Sequence, residues 1–398
     1  MIEPKLRFKA DDGSQFPDWK EKKIGDLFYK VNERNNGQFG KDKWISVAKM
    51  YYQDEDKVTS NNIDTRTYVM RIGDMAFEGH PNKEFKYGRF VVNDIGDGII
   101  SELFPIYRHK GEYVLKYWKY AIQIDTIMQK IYRKAITSSG ASSNKLDNND
   151  FENQSIPVPC LEEQQKIAEF LSTVDTVIEK QKETVSAWGE RKKGVMQKLF
   201  SQEVRFKADD GSDFPDWEEK KIGDLILLYD EKVSSNCKLP ILTSSKKNGI
   251  EYQEEHFSGK QRHDIDGYNI LPRNYCTYRN RSDGTDFTFN INRICDEGIV
   301  SKFYPVFREN NSNLFFLVML LNNEPQTLRK IAYTAKGTGQ KVLSITDLKS
   351  ITVMVPSVAE QQKIADCLSS LDDVIEKQKA TLAAWEEMKK GLLQQMFV

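Results

Sequence analysis

Residues 7–14 read Arg-Phe-Lys-Ala-Asp-Asp-Gly-Ser, and residues 205–212 read the same eight again. The copy extends outward. Phe16-Pro17-Asp18-Trp19 returns as Phe214-Pro215-Asp216-Trp217, and Lys22-Lys23-Ile24-Gly25-Asp26-Leu27 as Lys220-Lys221-Ile222-Gly223-Asp224-Leu225. Near the end of each half, Glu163-Gln164-Gln165-Lys166-Ile167-Ala168 returns as Glu360-Gln361-Gln362-Lys363-Ile364-Ala365. The repeat is half the chain, far longer than a solenoid unit. The protein is a duplicated module with a duplicated connector.

Between these anchors the halves diverge. Gly98-Ile99-Ile100-Ser101 with Phe104-Pro105-Ile106-Tyr107-Arg108 parallels Gly298-Ile299-Val300-Ser301 with Tyr304-Pro305-Val306-Phe307-Arg308. Ile45-Ser46-Val47-Ala48-Lys49 parallels Leu242-Thr243-Ser244-Ser245-Lys246. Elsewhere in 30–150 and 228–347 the residues disagree. Constant ends around divergent middles suggest one scaffold carrying two different readers.

The connectors carry a heptad pattern. Ile167, Leu171, Val174, Ile178, Gln181, Val185, Trp188, Lys192, Val195 and Leu199 recur in steps of four and three. Ile364, Leu368, Leu371, Ile375, Gln378, Leu382, Trp385, Lys389, Leu392 and Met396 repeat the pattern. Such a seam predicts two helices of roughly 38 residues. A helix gains most of its stability by packing an apolar stripe, and the obvious partner for one seam is the other. The first helix leads from one module to the next and the second returns, which predicts an antiparallel pair with the modules at opposite ends of a rod. Mid-seam Gln181 and Gln378 are suited to fixing register. Trp188 and Trp385 either cap the bundle or meet another protein. With Phe170, Val177 and Val374 they are the expected interface for another protein, since they add apolar surface beyond one seam.

The modules mix short β-like runs, such as Ile99–Ser101, Phe104–Tyr107 and 351–355, with helical candidates at 113–134 and 313–332. The expected fold is α/β or α+β with a mixed sheet. Their loops gather small, polar and basic residues suited to nucleic acid. In the first module these are Lys49, His80, Asn82, Lys83, Ser139, Ser142 and Lys145. In the second they are Ser245, Lys246, Lys247, Arg279, Asn280, Arg281, Lys336, Thr338, Gln340 and Lys341. Lysine and arginine neutralise phosphate; Arg, Asn and Gln can read base edges with paired hydrogen bonds.

Composition narrows the class. With Lys+Arg 58 against Asp+Glu 59, the chain has no global basic footprint, so a nucleic-acid face must be local. Five cysteines form no CxxC pair, and the four histidines (80, 109, 256, 263) show no metal-ligand spacing, so free thiols, a reducing cytoplasm and no metal are expected. No apolar run reaches membrane-spanning length, and the N-terminus lacks a signal-peptide core. Pro17-Asp18 followed by Glu21-Lys22-Lys23 spells a nuclease-like PD…ExK. Its acidic positions are too close for two strands of a hairpin, leaving an entry strand with Trp19 packed. Lys336–Lys341 is no P-loop. No nucleophile elbow or HExxH occurs. No catalytic residue is expected.

These residues resemble the specificity subunit of type I restriction-modification systems over nearly the whole length. Pro157-Val158-Pro159 leading to Glu162–Ala168, and Val355-Pro356 leading to Glu360–Ala365, carry the likeness. The resemblance implies target recognition domains over 1–159 and 203–356 and conserved coiled-coil helices over 160–202 and 357–398. It further implies double-stranded DNA as ligand, two modification (methyltransferase) subunits and restriction subunits as partners, and no membrane. S-adenosylmethionine, ATP and Mg would belong to those partners, leaving this chain without a cofactor. The family's base-reading residues differ between members, so none is carried over. The rival class is a coiled-coil adaptor that binds only proteins; it explains the rod but not two dissimilar modules with parallel basic loops.

Overall fold

A computed structural model describes residues 4–82, 85–137, 143–257 and 264–397. Two compact units emerge. One comprises 1–183 with 379–398, the other 184–378. Two continuous helices, Leu161–Phe200 and Val358–Phe397, are 40 residues each, and each contributes one half to either unit.

Each module is built round a four-stranded antiparallel sheet with the same strand order. In the first the order is Phe28–Val31, Ile106–His109, Met75–Glu78, Arg89–Val92; in the second it is Ile226–Tyr229, Val306–Glu309, Cys276–Tyr278, Phe289–Ile291. Satellite ladders repeat as well: Thr67–Met70 with Gly98–Ser101, and Asn269–Pro272 with Glu297–Val300. Every named strand pair among the described residues is antiparallel. The expected mixed character reduces to single parallel bridges, Trp44 to Ile99 and Ile241 to Ile299. These modules are α+β, because no helical crossover links neighbouring parallel strands.

The helical stretches come in pieces. The segment expected as one helix over 313–332 is two, Leu314–Asn323 and Pro325–Thr334. Proline lacks the N–H and clashes with the preceding turn, but it fits the first turn of a new helix. Glu324 caps that helix by accepting from Gln326 N and Thr327 N. The first module breaks likewise, into Leu115–Ala121 and Asp125–Ala135. Beneath the helices the first core is aromatic: Phe90 stacks on Phe151 at 4.8 Å, and Tyr107 meets Phe151 edge-on at 5.2 Å. Tyr278 and Phe289, 4.7 Å apart, begin the second.

The duplicated motifs explain each other. Arg7 grips the fully buried Glu163 with two hydrogen bonds, Nε to Oε1 at 3.0 Å and Nη2 to Oε2 at 2.9 Å. Arg205 grips the equally buried Glu360 at 3.1 and 2.7 Å. Lys166 pairs with Asp11, and Lys363 with Asp209. Gln164 and Gln361 each donate to the carbonyl of the preceding proline, Pro159 at 3.1 Å and Pro356 at 2.9 Å. The octet and the Glu-Gln-Gln-Lys motif thus form one cluster at each helix start. One detail is not copied: Trp19 Nε1 donates to Glu163 at 3.0 Å, whereas Trp217 Nε1 is buried without a partner.

Antiparallel pairing shows within each unit. In the first, Lys389 of the second helix meets Asp175 of the first at 2.6 Å, and Lys182 approaches Glu386 at 3.8 Å. In the second unit, Lys192 of the first helix meets Asp372 of the second at 2.6 Å. The seam lysines therefore act as reciprocal cross-helix partners. Asp175 also accepts from Tyr120 at 2.7 Å; burial first, then this carboxylate, push the tyrosine pKa upward. Seam residues beside the modules are buried, as at Ile167, Leu171, Ile364 and Leu368. Those of the middle, Gln181, Val185, Trp188, Gln378, Leu382 and Trp385, are half-buried. The end of each helix plugs a module. Phe397 lies against Tyr117 at 5.6 Å and Trp19 at 6.1 Å in the first unit, and Phe200 lies 6.0 Å from Phe316 in the second.

The Pro-Asp-Trp segment enters a strand, Lys20–Lys23, whose four side chains are all exposed and which pairs with Ser155–Val158. Asp18 is 80% exposed and Trp19 is buried. Removing Arg7 strands a buried carboxylate, so Arg7→Ala should lower unfolding free energy by about 3–5 kcal/mol. Arg205→Ala should do the same in the second unit, while Asp18→Ala leaves stability unchanged. Denaturant unfolding of the three variants checks this, and equal stability of Arg7→Ala and Asp18→Ala would refute it.

Candidate nucleic-acid interface

In the second module the expected loops converge. The strand Arg281–Ser282 pairs with Lys341–Val342, and Lys336 bridges back to Val342, closing the 336–342 turn. Leu343 N donates to Asn280 O at 2.9 Å. Gln340 Nε2 donates to Asp283 at 3.2 Å, and Lys246 pairs with Asp286 at 2.7 Å, which brings the 244–248 turn to the same side. Asn290 secures that turn through Ser244 Oγ at 2.7 Å and Ser245 O at 3.0 Å. Arg279, Arg281, Lys246, Lys247, Lys336, Thr338 and Gln340 are exposed, while Ser245, Asn280 and Lys341 are half-buried. The Arg281 guanidinium lies over the Phe303 ring at 4.3 Å, which holds a flexible cation in place. Lys336 is bonded to Asp347 at 2.7 Å, and that bond, ahead of the one from Ser344, holds the carboxyl below its ordinary range. A phosphate reaching Lys336 has to compete with Asp347.

The first module gathers its segments more loosely. Asn144 N donates to Gly79 O at 2.8 Å and Asn144 Nδ2 to Lys86 O at 3.2 Å, joining the 78–82 loop to the strand that carries Lys145. Arg89, facing Glu78 across the sheet, donates to Ala48 O in the turn that presents Lys49. Lys49, His80, Asn82 and Lys145 are exposed. Asn82 Oδ1 accepts from Phe85 N at 2.8 Å, a turn-forming bond. Lys83, Ser139 and Ser142 lie outside the described residues.

Sequence reasoning missed some neighbours of these loops. Lys130, Arg133 and Lys134 stand exposed on the helix that ends just before 138, and Arg329 and Lys330 on the helix that ends just before Lys336. The signal was a basic pair one turn ahead of each loop. Lys330 already pairs with Glu219 at 3.5 Å. Glu78, buried at the end of its strand, belongs to the same loop but is not among the expected contacts.

The partner-interface candidates are all on the long helices. Val177, Trp188, Val374 and Trp385 are half-buried. Phe170 is 36% exposed, its ring meeting Phe8 of the octet edge-on at 5.5 Å. Arg191 lies over Trp188 at 5.2 Å. All five cysteines are free. Among the described residues no helix is long and apolar enough to cross a membrane, and no metal-ligand cluster occurs.

This duplicated fold has relatives. Residues 17–185 and 215–384 each match the family model Methylase_S, described as the type I restriction modification DNA specificity domain. A Methanocaldococcus jannaschii protein described as the specificity subunit of the type I restriction enzyme MjaX is 25% identical over 435 residues, covering 97% of this chain and 94% of that one. The MjaVIII specificity subunit of the same organism is 25% identical over 284 residues, 64% of each chain. Two solved structures share the fold. The type I restriction-modification S subunit from M. genitalium has TM-score 0.53 at 14% identity, with 100% of this chain and 99% of that chain covered. A chain from a study of assembly and conformational transition in a type I system has TM-score 0.53 at 18% identity, with 96% and 98% covered. The molecule is a two-domain specificity protein, each half matching the same DNA specificity domain. The chain belongs to the type I restriction-modification specificity-subunit family.

Gly79 is a local constraint on the site. A Cβ there would sit 2.2 Å from Asn144 O and 2.9 Å from Ser143 Oγ. Gly79→Ala should therefore push the two loops apart at a cost of about 1–3 kcal/mol. Thermal unfolding together with DNA affinity tests this, the expected result being a loss in both. An unchanged melting temperature would show that the loops do not pack as described.

Proposed function

We propose that this chain is the DNA-reading subunit of a type I restriction-modification complex, and that its two modules recognise the two halves of an interrupted DNA site. One observation carries the reading. Sheets of identical strand order present basic loops at equivalent positions, and those loops differ in residue type between the modules. A single scaffold with two different contact sets suits two different sequences. Residues 1–159 and 203–356 act as the target recognition domains; the helical segments 160–202 and 357–398 join them and recruit modification and restriction subunits. Bond making and breaking, with S-adenosylmethionine, ATP and Mg, takes place on those partners. The chain works in the cytoplasm, where its free thiols stay reduced.

Lys49, Lys145, Lys336 and Lys341 serve as phosphate contacts that set position, and Arg279, Asn280 and Arg281 as base contacts. Asn82, Ser245, Lys246, Lys247, Thr338 and Gln340 complete the two surfaces among the described residues. Replacing residues 228–347 by the corresponding stretch of a relative should change one half of the selected DNA sequence and leave the other intact. Sequencing of DNA selected from a random pool by the assembled complex reads this out, and a simultaneous change in both halves would refute independent reading.

The helices also carry the partner surface. Val177→Glu with Val374→Glu should abolish co-purification with modification subunits while leaving the circular dichroism spectrum unchanged. Normal co-purification of the folded double variant would move the docking surface to the modules.

A further inference from the structure

The two central strands can be placed in common register. Met75 and Ala76 face Tyr107 and Ile106; Cys276 and Thr277 face Phe307 and Val306. Phe77 is then equivalent to Tyr278, and both are buried against the next strand's aromatic ring, Phe90 at 5.2 Å and Phe289 at 4.7 Å. The three residues that follow are Glu78-Gly79-His80 in one module and Arg279-Asn280-Arg281 in the other. A second contact supports the match, since Gly79 O accepts from Asn144 N at 2.8 Å and Asn280 O from Leu343 N at 2.9 Å.

One place in the fold thus carries opposite chemistry. Arg279 and Arg281 offer only hydrogen-bond donors, the complement of the O6 and N7 acceptors of guanine. At the equivalent position the Glu78 side chain is 9% exposed, and its Oε1 accepts from His80 N at 3.0 Å while standing 2.6 Å from His80 Nδ1. The His80 side chain is 65% exposed. In the neutral ring this bond places the proton on Nδ1 and leaves Nε2 as an acceptor. An acceptor in the major groove complements an exocyclic amino group, adenine N6 or cytosine N4, and faces only repulsion from guanine O6 and N7.

We infer that the tripeptide after the central strand is the base-reading position of both modules: Arg279 and Arg281 read guanine, whereas His80, positioned by Glu78, reads an adenine or cytosine amino edge. The inference rests on the DNA-reading role of the modules and assigns the base class to each. Glu78 touches no DNA; it fixes the ring.

The test uses the full chain assembled with its modification subunits, and sequences DNA selected from a random pool at one salt concentration. His80→Ala should weaken binding to the selected site about tenfold. It should relax a single position, where the unmodified protein takes adenine or cytosine, in one half-site only. Glu78→Gln, whose carbonyl oxygen can still accept from Nδ1, should keep that preference, while Glu78→Leu should lose it as His80→Ala does. Arg279→Ala should relax a guanine in the other half-site. His80 is exposed, so its loss does not threaten folding. Selection unaltered by His80→Ala, or relaxation at a guanine, would overturn the inference alone. Failure of the unmodified complex to select any sequence would overturn the reading function and this inference together.

Discussion

The structure depends on a buried carboxylate held by a guanidinium in two parallel hydrogen bonds, Glu163 by Arg7 and Glu360 by Arg205. A charge with no exposed surface persists only when paired and hydrogen-bonded. Meeting that demand ties the segment before each module to the first turn of the long helix after it. The module's start and end are thereby drawn together, as the Lys20–Lys23 ladder with Ser155–Val158 also requires. Planar pairing of this kind specifies geometry as well as contributing energy, so both partners recur in each half with their neighbours. The most repeated sequence in the chain is the part that closes the modules, and it contains none of the candidate reading residues.

Much of this was legible in the residues. The seam positions Ile167, Leu171, Ile364 and Leu368 announced the long helices and are buried in them. The runs near 98–101, 106–109 and 352–355 became strands. Three things were not legible. Local pattern does not reveal pairing across 156 positions, so nothing near Arg7 pointed to Glu163. A hydrophobic period runs straight through Pro325, although the backbone has to break there. The heptad pattern places Lys192 and Lys389 in the seam but does not name their partners, Asp372 and Asp175 on the other helix.

The candidate site was legible in composition and illegible in register. Basic and small residues marked the loops, and the second module does bring Arg279–Arg281 beside the 336–342 turn. What composition could not give was equivalence. Glu78 reads as an ordinary acidic residue until strand register makes it the equivalent of Arg279. The framework and the proposed reading positions thus obey different constraints: the first is fixed by burial, the second only by what it must meet.

In the proposed function, two dissimilar readers on one duplicated framework recognise one interrupted site. The most direct measurement maps methylated positions across genomic DNA treated with this chain and its modification subunits. Two short defined blocks separated by a gap of fixed length and free sequence are the expected result. A single continuous block, or methylation without sequence preference, would contradict it.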